Sequence, residues 1–92
     1  MIAAWDDDSE VDATLRAVLV DVLGLAEAQV AGFDEATPLF GALPEFDSMA
    51  VAGLLTELEE RLGILIEDHE VSADMLETYG SLLTFARAKA LQ

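Results

Sequence analysis

The sequence holds no cysteine, one histidine, two prolines and only four basic residues in 92. Each scarcity closes off a class of chemistry. Without cysteine there is no disulfide framework and no thiolate metal site. The sole histidine, His69, stands 21 residues after Ser48, inside the charged stretch "EDHEV". It reads as a surface residue, and a serine–histidine nucleophilic pair has little to be built from. No apolar run approaches the ~18 to 20 residues that cross a bilayer, so membrane insertion is not expected. The opening "MIAAWDDDSE" has no basic n-region and no long apolar stretch. It does not read as a signal peptide, and a cytoplasmic location is the expectation. The cations Arg16, Arg61, Arg87 and Lys89 form no basic patch interleaved with aromatics. The stretch "GFDEATPLFG" has the wrong spacing for a phosphate-cradling glycine loop.

What the chain has in excess is negative charge. Nineteen acidic residues against four basic ones leave a net charge of −15. Such a surface repels nucleic acid and anionic headgroups and steers toward basic patches on proteins. Solubility alone would account for the charge equally well. The acidic runs "DDDSEVD" and "EDHE" supply oxygen ligands but lack the glycine that a twelve-residue calcium loop needs at its sixth position. No metal site is expected. Apolar residues are 53% of the chain, which argues against disorder and suffices for one small core. One domain over residues 1–92 is expected, with residues 1–8 as a loose N-terminal segment.

Periodicity divides that domain into helices. Val11, Leu15, Val18, Leu19, Val22 and Leu23 form one apolar stripe over residues 9–24. Ser9 and Asp12 have capping-box spacing, Arg16 follows Asp12 by four, and Gly24 suits a left-handed stop. Residues 25–46 read as irregular, with a helical turn near 26–30. Structureless connections of this length are usually functional or anchored. Val30, Phe33, Leu39, Phe40 and Leu43 are the expected anchors. Val51, Leu54, Leu55, Leu58 and Leu62 form the stripe of a helix over 48–62, with Glu57 and Arg61 at ion-pair spacing and Gly63 as its stop. "ILIEDHEV" reads as an extended connection that tucks Ile64 and Ile66 inward. A short helix is expected in "SADMLETYG", capped by Ser72 and stopped by Gly80. A last one should start at Ser81 and take its core contacts from Leu82, Leu83, Phe85 and Ala86. The fold class expected is all-α: a small four-helix bundle with a long first loop and a short third helix.

One residue stands out in "GALPEFDSMAVAGLLTELEERLG". Ser48 falls where the long loop becomes a helix, and Asp47 or Ser48 takes the N-cap. Capping is the plain reading and is worth about 1 kcal/mol. The same position also tolerates an anion, because a helix start presents unpaired N–H groups and the positive end of the dipole. On the helical wheel, at ~100° per residue, Ser48 lies at the edge of the apolar stripe. Met49, Ala52, Thr56 and Glu59 follow around the exposed side.

"FDSM" leading into "LLTELEERLGI", with "TPLFGAL" before it and "LETYGSLLTFA" after it, resembles the acyl carrier protein family. The resemblance runs from about Val11 to Phe85. It implies an all-α four-helix fold and a serine at the start of the second long helix. That serine receives 4′-phosphopantetheine from coenzyme A, through a separate phosphopantetheinyl transferase that supplies Mg²⁺ and the base. Ser48 then matches the modified serine and Asp47 the aspartate before it, while Met49 replaces the usual leucine. Glu59 and Glu60 match acidic positions that contact basic partner enzymes. Met49, Ala52, Thr56, Glu59 and Glu60 are the expected partner face, and Leu54, Leu58, Leu62, Ile66 and Leu76 the expected lining of an acyl pocket.

Family members with strongly acidic recognition helices carry carboxylates two and five residues after the serine. Here those places are Ala50 and Gly53, so docking by packing more than by salt bridges is expected. The stretches "GALPEFDSMAV", "LEERLGI" and "ETYGSL" also resemble free-standing carriers encoded with bacterial exopolysaccharide and exosortase systems.

The function implied is that of a monomeric, non-catalytic carrier of acyl thioesters. It would serve acyl-transferring or acyl-activating enzymes of fatty acid and other lipid metabolism, or of a polyketide or exopolysaccharide-associated pathway. Two alternatives stay open. One is a peptidyl or aminoacyl carrier, which uses the same serine. The other is a helical adaptor that is never modified.

Overall fold

The computed structural model describes residues 8–91. The expected loose segment lies outside the described residues except for Asp8, which already begins a helix. The elements run α1 (Asp8–Leu23), α2 (Glu27–Ala31), α3 (Ser48–Leu62), a 3-10 turn (Asp68–Glu70), α4 (Ala73–Leu76) and α5 (Tyr79–Ala90). No strand occurs among the described residues; a lone antiparallel bridge joins Pro38 to Thr78. The all-α fold with a long first connection is as expected.

The core follows the apolar stripes. Val11, Leu15, Val18, Leu19 and Leu23 of α1 are buried with Leu54, Leu58 and Leu62 of α3. Leu82, Leu83 and Ala86 of α5 join that cluster, as do Leu39 and Phe46 of the loop and Tyr79. α1 packs against both α3 and α5. Its approach to α3 is close: a Cβ at Gly53 would lie 3.4 Å from Val22 Cγ1. The expected stops hold at Gly24 and Gly63, both with φ in the left-handed region (70° and 65°).

The long connection is anchored by hydrogen bonds as much as by apolar side chains. Tyr79 N–H donates to Thr37 O and Leu39 N–H to Glu77 O, each at 2.8 Å. Phe40 N–H donates to Leu76 O at 3.1 Å and Gly80 N–H to Glu35 O at 3.1 Å. The loop therefore lies as a short extended strip along the α4–α5 junction.

Arg16 holds the other side of the loop. Its guanidinium donates to Val30 O at 2.6 Å and to Phe33 O at 3.1 Å. It also pairs with Asp12 at 3.0 Å and stacks over the Tyr79 ring, 4.6 Å from the centroid. Tyr79 in turn donates its hydroxyl to the Asp12 carboxylate. One arginine thus ties α1 to a carbonyl of α2 and to one in the loop that follows it.

Several expected details are corrected. Ser9 lies within α1 and not at its cap, and Asp12 serves Arg16 and Tyr79. α4 ends at Leu76, before Gly80, and α5 begins at Tyr79, before Ser81. Thr78 is the α5 cap and Ser81 the reciprocal member of its capping box. Gly80 is needed for space: a Cβ there would sit 2.7 Å from Glu35 O. Phe40 does not dip into the core and is 38% exposed, whereas Phe46 is buried. The chain turns at Phe40, where the N–H groups of Ala42 and Leu43 both donate to Leu39 O, and Leu39 is the residue of the two that faces the core.

Candidate functional site

α3 begins after "PEFD", where Pro44 and the buried Phe46 bring the loop onto the helix axis. Asp47, in an extended conformation, is the N-cap, and its side chain accepts the Ala50 N–H at 2.8 Å. Val51 N–H closes the first turn onto Asp47 O at 3.0 Å. The cap is therefore complete without Ser48. Ser48 is the first helical residue and is exposed. Its hydroxyl is left over from capping, at the end of α3 where the dipole favours an anion.

The surroundings are apolar. Met49 is 84% exposed, and Ala52 and Thr56 are exposed one and two turns along the same side of α3. The acidic residues of α3 are largely engaged elsewhere. Glu57 pairs with Arg61 at 2.9 Å, and Arg61 reaches Asp21 on α1 at 2.5 Å. Glu59 is half-buried and accepts the Ile66 N–H at 2.8 Å, which fixes the chain as it leaves α3. Glu60 is exposed. Ala50 and Gly53 are both half-buried, so neither place offers a carboxylate to solvent.

Two grooves meet at Ser48. One, of about 270 Å³, runs between α3 and α4 and is lined by Phe40, Ser48, Val51, Val71, Ser72, Ala73 and Leu76. The other, of about 450 Å³, lies on the loop side, among residues 40–44, Phe46, Asp47 and Ser48. A separate depression of about 260 Å³, which shares Val71 with the first groove, includes Leu55, Glu59 and Ile66. Of the pocket residues expected from the sequence, Leu76 and Ile66 line these depressions. Leu54, Leu58 and Leu62 are sealed in the core. The segment that forms the outer wall is tied down by Lys89, whose ammonium contacts both Glu70 carboxylate oxygens at 3.0 Å. The Glu67 N–H and that ammonium hold the Glu70 carboxyl below its ordinary value.

His69 is exposed on the 3-10 turn and lines neither groove at Ser48. No group of three or more metal-ligating side chains occurs among the described residues. No helix among them is long and apolar enough to cross a membrane. Phe40, Phe46 and Tyr79 carried no distinct sequence signal for their roles. Tyr79 meets Asp12 across 67 positions, a contact that only the fold creates.

Comparison with known proteins is consistent with this geometry. The family model for the phosphopantetheine attachment site matches residues 13–88. The solution structure of a holo acyl carrier protein from Nitrosomonas europaea superposes with a TM-score of 0.79 at 38% identity. That match covers 90% of this chain and 98% of the other. The residues around Ser48 fit the prosthetic group: an exposed hydroxyl on a dipole-favoured helix end, beside grooves lined largely by apolar side chains. With a match over most of its length to a phosphopantetheine-attachment model and to a holo carrier, the chain belongs to the acyl carrier protein family, whose prosthetic group is a covalently attached phosphopantetheine.

Proposed function

We propose that Ser48 is the attachment point and that the protein carries acyl intermediates for partner enzymes without catalysing a step itself. The observation that carries this reading is the division of labour at the head of α3. Asp47 does the capping, so the Ser48 oxygen is free for a visiting transferase. In loading, the Ser48 oxygen forms a new bond to the phosphorus that carries the pantetheine, the coenzyme A pyrophosphate bond breaks, adenosine 3′,5′-bisphosphate leaves, and the serine proton passes to the transferase's base. When bound, the arm supplies a terminal thiol that holds the acyl group as a thioester. The apolar groove between α3 and α4 shelters part of that cargo, since each methylene removed from water gains ~0.8 kcal/mol. Partner enzymes dock over Met49, Ala52 and Thr56, with Glu59 and Glu60 at the far edge. The strong net charge opposes self-association and supports a monomer; the place of work in this reading is the cytoplasm.

Intact mass after incubation with coenzyme A and a broad-specificity transferase tests the reading. A gain of ~340 Da, the phosphopantetheinyl group, absent in Ser48→Ala, is the expected result. An unchanged mass for the parent protein favours an unmodified adaptor, for which the exposed Met49 would be the docking residue.

A further inference from the structure

Phe40 occupies an unusual place. It sits on backbone fixed by its N–H bond to Leu76 O, yet its side chain is 38% exposed. The ring is held edge-on against Phe46, with centroids 5.8 Å apart and planes at 88°. An exposed aromatic with both backbone and ring fixed is a rigid surface feature. The two grooves at Ser48 have two residues in common, Phe40 and Ser48 itself. Phe40 is therefore the ridge between them, and a chain leaving the Ser48 oxygen must pass to one side of it or the other.

The grooves differ in kind. The α3–α4 side is walled by aliphatic side chains, Val51, Val71 and Leu76. The loop side is larger and mixed. Leu43, Pro44 and Phe46 supply apolar surface, and the turn at Gly41 (φ 90°) exposes backbone. The N–H groups of Gly41 and Glu45 donate to no acceptor among the described residues. A phosphopantetheine arm is likewise mixed: a dimethyl-substituted carbon near the phosphate, then two amides. Its amide oxygens match unpaired N–H groups, whereas an alkyl chain matches the aliphatic side.

Resting on the assignment of Ser48 as the attachment point, we propose that the loop-side groove is the seat of the tethered arm, and that Phe40 is a positioning residue that separates this seat from the α3–α4 groove. The arm lies against Leu43, Pro44 and Phe46, and cargo entering the α3–α4 groove must first bring the arm across the Phe40 ridge.

The test compares two-dimensional ¹H–¹⁵N spectra of ¹⁵N-labelled protein before and after loading, with loading itself verified by mass. The expected result is that amide shifts at Gly41, Ala42, Leu43, Glu45 and Phe46 exceed those at residues 71–76. Nuclear Overhauser contacts should connect the arm's methyl groups to Phe46 or Leu43. In Phe40→Ala, and in the milder Phe40→Leu, the loaded protein should shift at both 41–46 and 71–76, because the ridge is gone. Dispersed spectra of the unloaded variants establish that they fold. Loading accompanied by shifts confined to Ser48 and its neighbours, or to residues 71–76, overturns the inference while leaving the attachment site intact. A protein that gains no mass overturns both.

Discussion

Asp12 shows how one side chain joins three parts of the molecule. Burial pushes its carboxyl up, but the Tyr79 hydroxyl and the Arg16 guanidinium outweigh burial and hold it below its ordinary value near 3.8. Burial, then the Asp12 carboxylate, push the Tyr79 phenol well above its ordinary range, so it remains a donor. A carboxyl with a depressed folded pKa stabilises the protein above its unfolded pKa, and that contribution disappears as pH falls through the folded value. Asp12→Asn should therefore cost about 1.5–3 kcal/mol at neutral pH, the range for hydrogen bonds to a charged group. The gap between variant and parent should close below about pH 4 in urea titrations. A gap that stays constant into acid would show that charge is not what Asp12 contributes. Met49 allows a second prediction at the same scale. If partners dock by packing, Met49→Gln should lower the transferase's kcat/KM roughly tenfold, or about 1.4 kcal/mol, less than the full burial value of a methionine. The rate for the parent protein should fall only weakly with added salt. A steep salt dependence with no effect of Met49→Gln would place recognition on the carboxylates instead.

Among the elements, the join between α4 and α5 has the tightest tolerances. Gly80→Ala puts a methyl group 2.7 Å from Glu35 O, against backbone, where neither side can yield cheaply. The expected cost is about 1–3 kcal/mol, read as a lowered unfolding midpoint with loading by the transferase retained. A midpoint equal to the parent's would mean that the strip of loop 35–40 moves freely. The sequence pattern exposes some of this architecture and conceals the rest for definite reasons. The α1 and α3 stripes repeat over several turns and end at left-handed glycines, so their bounds were visible to within a residue. The boundary between α4 and α5 was not, because "ETYGS" holds a glycine that reads as a stop while the true cap is Thr78. The position of Ser48 was legible from "FDSM". The engagement of Glu59 by Ile66 N–H was not, since a charged residue on a helix reads as a solvated one until the returning chain is placed against it. The exposure of Phe40 is hidden for a similar reason: periodicity says nothing in a loop, and only the turn that starts at Leu39 separates the buried Leu39 from the exposed Phe40.

For the molecule as a whole, charge balance is the governing quantity. Arg16, through Val30 O and Phe33 O, and Arg61 and Lys89, through ion pairs, are each spent on ties between segments of the chain. The surplus carboxylates repel one another across a surface with little to offset them. Stability should rise with ionic strength, because at about 0.15 M the screening length is about 8 Å, and should rise further with divalent cations. Unfolding midpoints that stay flat from low to high salt would show that the repulsion is minor.

Lys89 carries the chain's lone side-chain amine, and it lies 3.0 Å from the Glu70 carboxylate. An activated ester swinging on its tether would be destroyed by any neutral amine or thiolate within reach. This protein has no cysteine, and its one lysine is engaged by both oxygens of the Glu70 carboxylate. A clasp that steadies one groove wall thus also occupies the side chain that could otherwise reach for a tethered ester.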